Sequence, residues 1–331
     1  MGTGQPNPQE RLYGLDALRG IAAMLVVLLH IHHQTGALAG FDRGYLAVDL
    51  FLVLSGYVMA RCYEHRMAGG MTLAAFMKAR MKRLWPTIAI GVIMGLGPML
   101  GTMPASTAIF MTALALLFIP YLSGDQPIFP ASLPMWSLFF EVIANAAHHL
   151  VFRRMGSRSL IVATAACMAF MLAYAPSANV GSTSDDFWMG FPRLLGDYMT
   201  GILIWRLVGE RQLVRGEVGL VLLPSAVLAT SLVPAGSGWA DFLFVYLCCP
   251  LIVLSGLAPL RHFRKPLVWL GDISFPLYAV HYPVLLTALR FRPPWPVLLV
   301  LALVSAWLVL RVTTKGNAAP PDRVTGVPAT T

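Results

Sequence analysis

Apolar residues run along this chain in long unbroken blocks, neither alternating nor confined to one stripe. The blocks fall at 17–33, 45–60, 86–103, 105–122, 134–152, 159–175, 190–208, 217–234, 239–257, 272–290 and 295–312. Most approach the ~20 residues that a helix needs to cross a bilayer core. They are apolar all round, so they lack the alternation of a membrane β-barrel. The pattern predicts an all-α fold, a polytopic transmembrane helix bundle formed by one domain over 1–314. The remaining stretch, 315–331, is rich in Pro, Ala and Thr and reads as a disordered tail. The first block follows a polar lead-in without a small-residue cleavage site, so it reads as a retained helix and not a signal peptide.

Composition agrees. Hydrophobic residues make up 57% of the 331 and charged residues 12%, with mean hydropathy +0.69. A soluble domain carries roughly 25% charged residues; this chain calls for a lipid bilayer as its partner. The net charge of +9 raises the question of nucleic acid. Basic residues gathered in the short loops of a membrane protein explain it better, and no nucleic-acid partner is expected. The four cysteines, Cys62, Cys167, Cys248 and Cys249, lack metal-ligand spacing. His32–His33 and His148–His149 are adjacent pairs, which point ~100° apart on a helix. No metal site is expected.

The basic loops also set direction. If every block crossed the membrane, the stretches at 153–158, 206–215 and 261–265 would lie opposite the basic loop at 61–83. If 105–122 is re-entrant or interfacial, 20 of the 24 Lys and Arg fall on one side. Charge bias of this kind marks the cytoplasmic face. The reading is therefore about 10 spanning helices plus one re-entrant or interfacial segment, with both termini cytoplasmic, in a bacterial inner membrane. Pro104 and Pro120 suit a broken element at 105–122.

Several ionisable residues interrupt the apolar blocks, where a charge is costly unless paired or wet. Arg19 and His30 lie eleven steps apart, ~1100° or about three turns, on one face of the first helix and ~16 Å apart along its axis. Asp16 sits one turn before Arg19 and can pair with it. Asp49 opens the second block at nearly the depth of His30; the competing reading is a carboxylate favoured by a helix N-terminus. Arg80 and Arg83, one turn apart in "FMKARMKRLWP", suit phosphate binding, or mark only cytoplasmic charge. In "LPMWSLFFEVIANA", Ser137 and Glu141 share a face with Trp136 beside them. "GDISFPLYAVHYPVL" places Ser274, Tyr278 and His281 in a polar stripe on an apolar helix.

The stretches "GLDALRGIAAMLVVLLH", "GYLAVDLFLVLSGYVMA", "FMKARMKRLWP", "WSLFFE" and "ISFPLYAVHYPV", in this order, resemble the acyltransferase-3 family of integral membrane acyltransferases. The resemblance implies transfer of an acyl group, often acetyl, from cytoplasmic acyl-CoA to a hydroxyl of an extracytoplasmic or membrane-associated acceptor. Acceptors in the family are commonly carbohydrates or glycolipids. The family's arginine–ten residues–histidine motif maps onto Arg19 and His30, and its arginine pair onto Arg80 and Arg83. Two departures stand out: "VIANA" replaces the aromatic pair after the glutamate, and "WLVLRVTTKGN" lacks the Glu-x-Pro element of the last helix.

Read this way, neutral His30 takes the acceptor's proton, with Asp49 or Glu141 orienting it; the residues leave that choice open, and both direct transfer and a transient acyl-histidine fit them. Arg80, Arg83 and Arg19 hold CoA phosphates, and Trp136, Ser137, Tyr278 and His281 contact substrate. Acyl-CoA, in the first instance acetyl-CoA, is the donor substrate, and no bound cofactor is expected. The alternative is a transporter or flippase of a modified sugar or lipid, whose pathway would use the same intramembrane charges. No matching pair of broken segments in two halves supports it. A serine hydrolase built on Ser55 or Ser137 lacks a nucleophile elbow.

Overall fold

Helices account for nearly all regular structure in the computed structural model, which describes residues 11–124, 126–234 and 238–315. The expected tail lies outside these residues from 316 onward. Among the described residues, six helices are long and apolar enough to cross a membrane: α1 (Tyr13–Thr35), α2 (Leu46–Ala68), α3 (Leu73–Leu100), α6 (Ser157–Tyr174), the continuous stretch Gly238–Ser255, and α12 (Trp295–Lys315) through Thr314. The Gly238–Ser255 stretch comprises α9 (Gly238–Leu243), a π-helical turn and α10 (Cys249–Ser255). Four more helices complete the bundle. These are α5 (Met135–Leu150), α7 (Gly190–Val208), α8 (Gly216–Ser231) and α11 (Arg264–Leu289). α7 carries Arg193, Asp197 and Arg206 inside its length, and α5 and α8 are short. Among the described residues there is no strand, only an isolated bridge between Pro127 and Thr183.

α1, α2 and α11 form the centre of the bundle. Leu18, Leu50 and Leu277, one on each, are almost wholly enclosed. α6 and α12 lie outside and expose Ile161, Val162, Phe170, Val300, Val304 and Trp307. Such an apolar exterior suits lipid, not water. α2 and α7 approach each other closely. A Cβ built on Gly56 would stand 1.9 Å from the Tyr198 carbonyl oxygen, and one on Gly201 would stand 2.0 Å from that of Val53. Small residues permit this contact, which any side chain would block.

The apolar block at 105–122 holds only α4 (Ala105–Leu116), 12 residues. At 1.5 Å per residue it is ~18 Å long, short of a ~30 Å core. It packs along α3, and the Trp85 Nε1–H donates to the Leu116 carbonyl at 3.2 Å. Beyond it the chain is irregular. Phe118 adopts a positive φ of 57°, and the Ile128 amide donates to the Ser182 carbonyl at 3.1 Å. The Ala131 carbonyl then presses onto Gly95 of α3.

Ion pairs tie the loops at both ends. At the end holding 36–45 and 175–189, Asp241 accepts from Arg43 (2.5 Å), Tyr45 (2.8 Å) and the Ala178 amide (3.0 Å). At the opposite end Glu64 of α2 accepts from Arg206 of α7 and from His148 of α5, and Arg61 pairs with Glu210.

Candidate functional site

A cavity lies between α1, α2, α3, α5 and α11. Its polar lining is Arg19, Ser55, Arg80, Arg83, Ser137, Glu141, Ser274 and Tyr278, with Phe51, Leu54, Val58 and Phe275 among the apolar residues. Each helix contributes through a local pattern already visible in the chain. Arg80 and Arg83 project from one turn of α3 before Pro86. Ser137 and Glu141 project from one face of α5, and Ser274 and Tyr278 from one face of α11. Arg83 is exposed at the mouth, whereas Arg80 is buried.

The cationic end is only partly neutralised. Arg80 Nη2 donates to Glu141 Oε1 at 2.8 Å, and the Ser55 hydroxyl donates to the same oxygen at 2.8 Å. Arg80 Nε is buried without a hydrogen-bond partner. Asp16 lies 4.0 Å from Arg19 and pairs more closely with Arg11. Three guanidinium groups thus face one carboxylate within the cavity, a surplus of positive charge suited to a polyanionic ligand. At the inner end the Ser137 and Tyr278 hydroxyls are 2.7 Å apart and buried, and Phe51 packs edge-on against the Tyr278 ring.

His30 lies beyond that inner wall. The polar stripe of α11 leads to it: Tyr278 lines the cavity, and His281 follows three residues on, with ring centroids 6.2 Å apart. His281 Nε2 is 3.0 Å from His30 Nδ1. His30 Nδ1 is also 2.9 Å from the Val26 carbonyl, and His281 Nδ1 is 2.9 Å from that of Leu277. Arg19 and His30 therefore flank one α11 stripe, as their shared face on α1 predicts.

The expectation that Asp49 or Glu141 orients His30 is corrected here, because neither side chain bonds to it. Asp49 is fully buried and grips Arg193 of α7 with two hydrogen bonds of 2.8 Å. A carboxylate enclosed by apolar helices needs a full counter-charge, and α7, packed directly on α2, supplies it. Glu141 is held in the cavity by Arg80 and Ser55. Trp136 does not line the cavity; its ring lies under the Arg193 guanidinium, 5.2 Å from ring centroid to Cζ. The structure thus brings together Arg19, Arg80, Arg83, Ser137, Glu141 and Tyr278 at one site. It joins His30 to His281 beside that site and places Asp49 and Trp136 with Arg193.

Sequence reasoning left Arg193 without a role. The signal was present, since it is a charge inside an apolar block, the criterion that picked out Asp49. Ser55 entered the sequence reading as a rejected nucleophile, and its bond to Glu141 depends on α5 reaching α2. No group of three or more metal-ligating side chains occurs among the described residues.

Comparison with known proteins bears on this geometry. A family described as an acyltransferase domain matches residues 12–312. A Rhizobium radiobacter protein named "Protein 2 in picA locus" is 33% identical over 185 residues, covering 49% of this chain and 92% of that protein. A Komagataeibacter xylinus protein named as a membrane-bound transacylase is 26% identical over 307 residues, 85% of this chain and 75% of its own. A Staphylococcus aureus protein named as an O-acetyltransferase is 37% identical over 79 residues, which cover 23% of this chain and 12% of that protein. No solved structure matches.

Proposed function

Since this chain belongs to the acyltransferase-3 family of membrane O-acyltransferases, we propose that it moves an acetyl group from acetyl-CoA to a hydroxyl of a carbohydrate or glycolipid acceptor. One observation carries the reading. A cavity lined by Arg19, Arg80 and Arg83 ends at Tyr278, on the same helix face as the histidine that contacts His30. The family does not favour the transporter alternative.

In this proposal the CoA phosphates rest on Arg19 and Arg83 and on the unpartnered Nε of Arg80. The pantetheine arm follows the apolar wall of α2 toward Phe51 and Tyr278. His30 Nε2 takes the acceptor's hydroxyl proton as the oxygen attacks the thioester carbonyl. The new C–O bond forms, the C–S bond breaks, and the CoA thiolate leaves with the proton that His30 held. The arginine end is cytoplasmic, with both termini, because it also carries the basic loops 61–83, 153–158, 206–215 and 261–265. About ten helical passages, with α4 re-entrant, fit that arrangement in a bacterial inner membrane.

The test is transfer of radiolabelled acetyl from acetyl-CoA to a panel of envelope glycans and glycolipids by the purified protein in lipid nanodiscs. Wild type should label an acceptor. His30→Ala should bind acetyl-CoA equally well and lose at least ~100-fold in turnover, the scale of positioned base catalysis. Turnover within tenfold of wild type would remove His30 as the base.

A further inference from the structure

A histidine acting as base needs an acceptor for its second nitrogen, which orients the ring and favours the cation formed during reaction. Carboxylates commonly supply it. Here the carboxylates are engaged elsewhere: Asp49 with Arg193, Glu141 with Arg80 and Ser55. The atom within reach of His30 Nδ1 from another helix is His281 Nε2, at 3.0 Å.

Two backbone carbonyls assign the protons of this pair. A carbonyl oxygen only accepts, so a ring nitrogen 2.9 Å from one must carry hydrogen. The Leu277 carbonyl therefore places a proton on His281 Nδ1. In neutral His281, Nε2 is then a bare lone pair. The Val26 carbonyl likewise places a proton on His30 Nδ1. His30 Nδ1–H is thus the donor and His281 Nε2 the acceptor, and His30 Nε2 is left as the free base. The Val26 carbonyl already takes the His30 amide in the helix ladder, so it is a crowded second acceptor. The reverse assignment, with His281 as base, fails because both of its nitrogens are engaged and its side chain is wholly enclosed, while His30 retains 8% exposure. Tyr282 packs edge-on to the His30 ring at 5.1 Å and holds it from another side.

We propose that His281 is the positioning residue for His30, with its Nε2 taking the place that a carboxylate holds in a histidine–carboxylate pair. This rests on His30 as base. It reassigns His281 from substrate contact to a role exerted through His30. An uncharged partner also leaves the pair neutral before reaction, which limits the cost of burying it between α1 and α11.

Glutamine places an amide oxygen close to where histidine places Nε2, so it can accept the His30 proton; leucine fills the space without an acceptor. In nanodiscs, His281→Gln should keep kcat within ~5-fold of wild type. His281→Leu should lose ~100-fold in kcat, with KM for acetyl-CoA and for acceptor changed less than ~2-fold, the signature of support exerted only in the transition state. His281→Leu added to His30→Ala should cost nothing further, because a residue acting through His30 has nothing left to act on. Equal kcat for His281→Leu and wild type would overturn the proposal. So would a loss confined to KM, equal losses in the Gln and Leu variants with both eluting as folded protein, or an additive loss on top of His30→Ala. An active His30→Ala would instead defeat the base reading beneath it.

Discussion

Asp49 and Arg193 meet through paired 2.8 Å hydrogen bonds, with almost no part of either side chain open. Removing one partner of such a pair strands the other charge, at a cost of about 3–5 kcal/mol. Asp49→Asn should therefore act on stability: the purified protein should melt earlier, while the folded fraction keeps its kcat. Adding Arg193→Gln should return part of the lost melting temperature, since the guanidinium left without its two-bond partner is then gone. Unchanged melting with a collapsed kcat would return Asp49 to the reaction. Arg83 presents the opposite case. It is exposed, lines the cavity mouth and has no carboxylate in an ion pair among the described residues. Arg83→Gln should raise KM for acetyl-CoA ~10-fold, leave KM for acceptor unchanged and leave melting unchanged, the pattern of lost donor binding. An equal rise in both KM values would move Arg83 out of a donor-specific role. Arg80→Gln is a poorer probe because it also releases Glu141.

At the scale of elements, α4 is the segment whose length and apolarity disagree. Twelve residues cannot cross a hydrocarbon core. The chain leaves α3 at Leu100, packs back against it as α4 and continues through the irregular stretch that pairs with 182–184. Positions 123 and 156 should therefore face opposite sides of the membrane. With Cys62, Cys167, Cys248 and Cys249 replaced, Ser123→Cys should react with an impermeant thiol reagent in intact cells, and Gly156→Cys only after lysis. Both positions are exposed, and a side chain at 156 meets nothing within 4 Å. Labelling of both in intact cells would mean that 105–122 crosses. The α2–α7 contact makes a second demand at this scale. Its close backbone approach puts Asp49 within reach of Arg193, so Gly56 and Gly201 matter to a charge pair they never touch.

The whole molecule has two unlike ends. One gathers the basic loops and the cavity mouth with Arg19 and Arg83, and His30 lies toward the other. A donor bearing several phosphate charges cannot cross the bilayer unaided, so the reaction should be sided. Inverted membrane vesicles given acetyl-CoA externally should acetylate acceptor, and right-side-out vesicles should do so only after permeabilisation. Equal rates in both sealed preparations would contradict the orientation. In the proposed reaction, donor and acceptor meet at the inner wall formed by Ser137 and Tyr278.

The chain by itself determined the helical class, the approximate elements and most of the polar residues along the cavity. All three follow from local chemistry: unbroken apolar blocks admit only helices in lipid, and helical spacing places Arg80 with Arg83, Ser137 with Glu141, and Tyr278 with His281. Pro104 and Pro120 also made a broken element at 105–122 legible, and the helix there has 12 residues. Partner choice across helices was not. Asp49 and His30 are read at nearly the same depth, and depth alone pairs them; the tertiary structure separates them because α7 packs against α2 and brings Arg193. Glu141 turns to Arg80, and His281, on a helix some 250 residues away in sequence, reaches His30. An ion pair buried in a bundle is decided by which faces touch and by the need to leave no charge alone. Those facing relations exist only once the helices have packed.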